Sequence, residues 1–385
     1  DAVDEVAVLG ARGAVDVDAA ALGFLVGAGR QRRDVDRVTP LGDVVAVLAV
    51  AYTLLLGWGF RHLPNERWQI LATLPLRKDS SGHWLGLNLT VYGLVTAIAY
   101  AFSVAIAILL TGAIAVPFWS VLGVAVAILA AVIPASTWVA RIVEKKKFTF
   151  TVGGAAFVGI VLAPWIIVAI NWAFPTTPLP IMPVLAAFAI AYTLGEGTGR
   201  LACISFGCCY GKPLAHCHPT LQRLFKDKHF VFHGKTKKIA YADRLDGHKI
   251  LPIQALTCIL YVGAGLIGTL LFLYGAYTAA MILTITVTQL WRFASEFWRA
   301  DFRGEGKISA YQWLALIGWV YAIALPLFIP MSASPIPNLI AGLQALWQPI
   351  AIVFLQILAL GIFVYSGRSF VTEARLSLYV CEDRV

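Results

Sequence analysis

The sequence predicts an all-α integral membrane protein of about nine transmembrane helices with a small extramembrane head. Three observations predict it. The 385 residues are 59% hydrophobic and only 13% charged, with a mean hydropathy of +0.78, whereas water-soluble domains carry roughly a quarter charged residues. Apolar stretches recur at lengths near the ~20 residues that cross a bilayer. Lys and Arg are concentrated in alternate loops between those stretches.

The elements run in chain order. Residues 1–40 mix acidic residues with Ala, Val and Gly and end in a charged run. With no basic start and no cleavage site they read as a loosely ordered or amphipathic leader, not a signal peptide. Spans are expected at about 41–60, 87–112, 116–139, 149–173, 180–197, 252–274, 277–298, 310–331 and 340–366. Pro or charge clusters mark most of the breaks, and Asp43 near the start makes the first span the weakest. The longest polar stretch, 212–249, is rich in Lys and His, and its alternating "HFVFHGKTKKIAYA" predicts a short β-hairpin through Gly234. No repeat of fixed period is visible, which removes the inverted-repeat transporter signature.

With nine spans, loops 61–86, 140–148, 200–250 and 299–309 and the tail fall on one side, and nearly all Lys and Arg after the leader lie there. The opposite loops contain neither residue. The positive-inside rule makes the charged side cytoplasmic. Glu144-Lys145-Lys146-Lys147 is a topology anchor that also attracts anionic lipid. The lysines at 235, 237 and 238 would suggest nucleic acid in a soluble protein. Beside a membrane, lipid phosphate suits them better, and no nucleic-acid partner is expected.

Two clusters place ionisable groups where hydrocarbon begins. In "GEGTGRLACISFGCCYGKP", Glu196 and Arg200 are four apart, and Gly195, Gly197, Gly199, Gly207 and Gly211 permit close backbone approach. In "LWRFASEFWRAD", Arg292, Glu296 and Arg299 fall on one helical stripe. Such charges are costly in a membrane and mark function by default. The bland alternative is an intrahelical Arg292–Glu296 pair with Arg299 snorkelling to the interface. The planar fork of arginine suits phosphate, so a basic pocket at membrane depth reads as a phospholipid headgroup site.

These residues carry a resemblance. Gly199, Arg200 and Leu201 followed by Tyr210 and Gly211 are similar to the Gly-Arg signature of the prolipoprotein diacylglyceryl transferase family. Arg292, Phe293, Glu296, Arg299 and Asp301 resemble its arginine–glutamate helix. Tyr92-Gly93-Leu94 resembles its early Tyr-Gly-Leu, and Val152-Gly153-Gly154 its His-Gly-Gly turn. The likeness covers roughly 68–330, in order. It implies a seven-helix core at 68–335 with head loop 200–250, an extra helix and loop at 41–67, and a further helix and tail at 336–385. The implied reaction moves a diacylglyceryl group from phosphatidylglycerol to a prolipoprotein cysteine in the bacterial inner membrane. Arg200 and Arg292 would hold phosphate and stabilise the departing charge, Glu296 would orient an arginine or the headgroup, and Tyr92 would donate to the lipid. Gly199, Arg299, Glu196, Gly153, Gly154, Cys203, Tyr210 and Gly211 would complete the binding surface. No metal and no cofactor is expected.

Two departures stand out. The histidine of the family turn is Val152 here, and the asparagine of the Gly-Arg signature is Cys203. Replacement bases are sought among His216, His218, His229, His233 and His248, any of which can equally be a solvated side chain. The family's head faces away from the cytoplasm, against the loop charges here. A different, cytoplasm-side lipid acceptor and a non-catalytic phospholipid-binding protein therefore remain as alternatives. Cys203, Cys208, Cys209 and Cys217 with His216 and His218 could bind zinc, but "CxxxxCC" then "HCH" lacks paired CxxC spacing. A disulfide is open to an extracytoplasmic head. Small buried thiols packing beside glycines are the favoured reading.

Overall fold

The computed structural model describes residues 42–144, 152–300, 308–329, 335–377 and 380–384. The expected leader, Lys145 to Lys147 and Asp301 lie outside these residues. Contacts divide the chain into Asp1–Val50 and Ala51–Val385. The described part of the first unit is the opening of one helix. The rest of that helix and every other described element belong to the second unit.

The long helices are α1 (Gly42–His62), α2 (Val91–Ala113), α3 (Phe118–Glu144), α4 (Val152–Ala173) and α5 (Ile181–Phe206). After the head come α8 (Ile253–Leu273), α9 (Tyr277–Ser295), α10 (Ala310–Phe328), α11 (Leu339–Leu346) and α12 (Pro349–Ser366). Among the described residues, eight helices are long and apolar enough to cross a membrane, against nine expected. The missing one is α9. It exists as a 19-residue helix, but Thr284, Thr288, Gln289 and Arg292 are buried along it, and they turn it toward other helices, not lipid. The expected 340–366 span is broken in two, because Pro349 lacks an amide hydrogen and holds Gln348 extended at ψ 137°.

Helix α5 is the hub, packed on α2, α8 and α9. Most of its apolar length is buried and very little of that of α12 is, so α12 presents its side chains outward. The glycines at 195, 197 and 199 do not end α5 near residue 197 as expected. It runs on to Gly207, whose left-handed φ of 70° closes the helix as the amides of Gly207 and Cys208 bond to the carbonyls of Ile204 (3.2 Å) and Cys203 (3.0 Å). Glu196 and Arg200 therefore lie inside the helix, not at its end.

Loop 61–86 holds structure that alternation of polar and apolar residues did not announce. Strands β1 (Ile70–Lys78) and β2 (Trp84–Thr90) form an antiparallel hairpin whose turn is set by the Asp79 carboxylate, accepting from the amides of Ser81 and His83. A tail strand that pairs with β2, here called β5 (Arg368–Leu376), completes a sheet of order β1-β2-β5. The tail also explains Gly93. A Cβ there would sit 2.1 Å from Gly367 Cα, and Thr90 donates to the Gly367 carbonyl through both its amide (2.8 Å) and its hydroxyl (3.0 Å).

The head contains α6 (Pro219–Leu224), β3 (Phe230–Val231), α7 (Lys238–Asp243) and β4 (Lys249–Ile250). The expected hairpin through Gly234 is not formed. β3 pairs with β4, and the second half of the predicted hairpin is α7. The cause is Lys237, fully buried, whose ammonium donates to the carbonyls of Ser205 (2.5 Å) and Leu63 (3.3 Å) and pins the chain across the end of α5. His233 N–H bonds Pro64 O (3.2 Å), Thr236 donates to Gln69 (2.9 Å), and Ala300 N–H bonds Tyr210 O (3.1 Å). Loop 61–90, the head, the segment at 299–300 and the tail strand thus gather at one end, as the loop count grouped them. At the other end Asn338 N–H bonds Ala113 O (2.7 Å) and Tyr277 donates to Pro335 O (2.6 Å).

Burial pulls the Lys237 ammonium down to about 8. The folded state thus sheds this proton before the unfolded state does, so stability rises with pH between about 8 and the ordinary lysine value and its deficit is complete below 8. Lys237→Met is expected to abolish that rise in a pH series of thermal melts. It should also cost about 1–3 kcal/mol at pH 9.5 from the two orphaned carbonyls.

Candidate active site

The site is built where α5, α8 and α9 meet. Glu196 and Tyr192, one turn apart on α5, face Arg292 from α9. One Arg292 Nη donates to both Glu196 oxygens at 2.7 Å and to the Tyr192 hydroxyl at 3.0 Å. Arg200, four residues on from Glu196, donates to the same carboxylate. The side chains of Glu196, Arg292 and Arg200 are 8%, 10% and 13% exposed. A buried carboxylate thus holds two guanidiniums side by side, an arrangement that Coulomb repulsion opposes without it.

The helical stripe read from the sequence is only half right. Helix α9 ends at Ser295, Glu296 begins a 3-10 turn, and Arg299 is extended at φ −83°, ψ 149°. The intrahelical Arg292–Glu296 pair does not form. Glu296 instead lies 3.6 Å from Arg299 and accepts from the Ser309 hydroxyl at 3.5 Å. Gly211 bridges to Arg299, and a Cβ on Gly211 would lie 2.4 Å from the Leu251 carbonyl. This glycine lets two strands of backbone approach and seats Arg299 at the site.

Arg200, Arg292, Arg299 and Glu296 line one pocket together with Cys209. The Nε of Arg200, the Nε of Arg292 and the Oε1 of Gln254 are buried without a hydrogen-bond partner among the described residues, and all three residues line this pocket. Buried donors and acceptors are normally satisfied, so such a concentration points to a ligand. Counted as ionised, three arginines and two glutamates leave one positive charge.

The other expected site residues divide. Cys203 sits on the last turn of α5, and its sulfur lies within 4.8 Å of those of Cys208 and Cys209, a closeness the sequence spacing did not suggest. Tyr92, in the first turn of α2, packs against Phe206 with ring centroids 5.6 Å apart and planes inclined at 58°, beside the end of α5. Tyr210 is fully buried and donates to the Asp243 carboxylate in the head, which makes it a strut. A Cβ on Gly199 would meet only Ala99, at 3.8 Å, so no tight approach requires this glycine. Gly153 and Gly154 are not brought to the pocket. They open α4, where a Cβ on Gly153 would press on the Tyr311 ring at 2.8 Å. None of the five candidate histidines lines the arginine pocket. His218 caps α6 through the Thr220 amide, and His248 borders a separate hollow in the head.

Several residues of the pocket did not stand out in the sequence. Gln254, Thr257 and Tyr261 form a polar stripe on apolar α8 and line the pocket, with Trp291 donating to Thr257 (2.8 Å) and Tyr261 to Thr288 O (2.9 Å). The i, i+3, i+7 spacing was a usable signal. So was Tyr192, four residues before Glu196.

The family model described as prolipoprotein diacylglyceryl transferase matches residues 83–328, more than half of the chain. The chain belongs to this family. It is accordingly a multi-pass membrane protein and a transferase of the diacylglyceryl transferase kind, the class that serves lipoprotein biosynthesis. The matched stretch holds Tyr92, Arg200, Glu196, Arg292 and Glu296 and stops at the last residue of α10. Helix α1, α11, α12 and β5 lie outside it, yet Tyr52 of α1 bonds Thr198 of α5 at 2.9 Å, and α11 and α12 pack on α2. No curated protein matches the chain.

Proposed function

We propose that this family member transfers the diacylglyceryl group of phosphatidylglycerol to the thiol of a prolipoprotein cysteine, with Arg200 and Arg292 holding the phosphate. The observation that carries the reading is the pair of unpartnered, buried Nε donors on two arginines clamped by one carboxylate. A phosphodiester supplies the acceptor oxygens these donors lack. The acceptor sulfur attacks the glycerol carbon, the carbon–oxygen bond breaks, and glycerol phosphate departs carrying a second negative charge. Guanidiniums fixed in advance at that oxygen lower the barrier because they need no reorganisation. Glu196 positions both arginines, Glu296 positions Arg299, and Gln254 Oε1 is available to the headgroup hydroxyls. Phospholipid and lipoprotein precursor are the partners, and the bacterial inner membrane is the location.

The test is direct. Purified protein in micelles with phosphatidylglycerol and a cysteine peptide bearing the acceptor thiol is expected to release glycerol phosphate and form a thioether-linked lipid in equal amounts. Release without thioether, accompanied by a new lipid product, favours the alternative of a cytoplasm-side lipid acceptor. Phospholipid bound intact without turnover favours a binding protein.

A further inference from the structure

We propose that Cys203, Cys208 and Cys209 form a zinc site of three thiolates whose open fourth position faces the arginine pocket. The three sulfurs lie within 4.8 Å of one another. Zinc–sulfur bonds of about 2.3 Å at tetrahedral angles separate sulfurs by about 3.8 Å, so closure requires shifts of about 1 Å or less.

The fold works to gather them. Gly207 reverses the chain at the end of α5, and the Cys208 amide bonds the Cys203 carbonyl at 3.0 Å. The Gln254 amide holds the Cys208 carbonyl at 3.0 Å. Cys209 is held at φ 56°, a left-handed conformation that costs free energy in a residue with a Cβ and persists where surroundings impose it. In that conformation it joins the wall of the pocket with Arg200 and Arg299, whose charges favour gathering thiolates. Soft thiolates select zinc among common divalent ions, and three protein ligands with one open position is the catalytic pattern, where structural sites close with four.

The role deepens, and rests on, the transferase reading. The acceptor cysteine must lose a proton, and no histidine among the described residues lines the arginine pocket. A thiol that coordinates zinc is deprotonated outright. The acceptor thiol would hand its proton to zinc-bound hydroxide, which leaves as water. The bound sulfur then forms the bond to the glycerol carbon as the carbon–oxygen bond breaks, and the electron pair departs on the phosphate oxygen.

Reduced full-length protein given Zn²⁺ alone is expected to retain one zinc per chain after desalting, with Cys203→Ser and Cys209→Ser losing it and Cys381→Ser keeping it. Wild-type protein given Co²⁺ alone is expected to show the charge-transfer absorption of thiolate ligation, a readout independent of any variant's folding. Absence of that band, zinc retained in both serine variants, or a disulfide within the trio that re-forms after reduction and blocks zinc overturns the site. Chelation is expected to slow lipid transfer by roughly 100-fold or more, the scale of a lost general base, and undiminished transfer by zinc-free protein overturns the activating role. Zinc bound at three thiolates with no lipid turnover under any condition overturns the transferase reading and leaves the metal site standing.

Discussion

Glu196→Gln is expected to lower stability by about 3–5 kcal/mol, the cost of removing one partner from a buried ion cluster. The carboxylate is 8% exposed and bonds Arg200 and Arg292 together. Once it is neutral, two guanidiniums face each other in a medium where water screens them poorly. Thermal unfolding in micelles provides the measurement. The double variant Glu196→Gln/Arg200→Gln should be more stable than Glu196→Gln alone, because it removes the repulsion as well as the bond. If the double loses the sum of the two singles, the three side chains do not act as a unit.

The second large effect is on chemistry. Arg292→Lys keeps a positive charge beside Glu196 but removes the planar fork and its unpartnered Nε. Release of glycerol phosphate is expected to fall roughly 10²–10³-fold, the scale of losing one preorganised donor from a transition state, while the melting temperature changes little. A rise in KM with unchanged kcat would mean that Arg292 binds lipid equally in ground and transition states and is not catalytic.

The class of fold was legible because hydrocarbon tolerates so few compositions: apolar runs of bilayer length identified most helices within a few residues. The arginines and glutamates were legible for the same reason, since a charge inside an apolar run is conspicuous. Their pairing was not. Arg292 lies four residues from Glu296 and 96 from Glu196, yet it bonds the distant one, because α9 ends before Glu296 can turn back onto it. Local periodicity carries no information about which helix a side chain meets. The end of α5 was misplaced because glycines read as breakers, while in this helix Gly195 and Gly197 serve packing against Ser103 and Tyr261. The cysteines were weighed as zinc ligands, as a disulfide and as packed thiols, but spacing could not give their arrangement, because its geometry depends on two left-handed residues, Gly207 and Cys209, and only the glycine announces itself. The β1-β2-β5 sheet was hidden since Pro75 interrupts the first strand and the third lies in the tail, beyond the reach of a hairpin signal.

That sheet imposes an order on biosynthesis. The ribosome makes β2 about 280 residues before the strand that covers its outer edge, an interval of roughly 15–60 s at common elongation rates. Throughout that time the β2 edge has unpaired backbone groups, a template for any passing strand. The Gly367 surface against which Gly93 packs does not exist until then either. The elements around Tyr92 therefore mature after the arginine clamp has been inserted, so the nascent chain acquires its charged core before the sheet beside Tyr92 is complete.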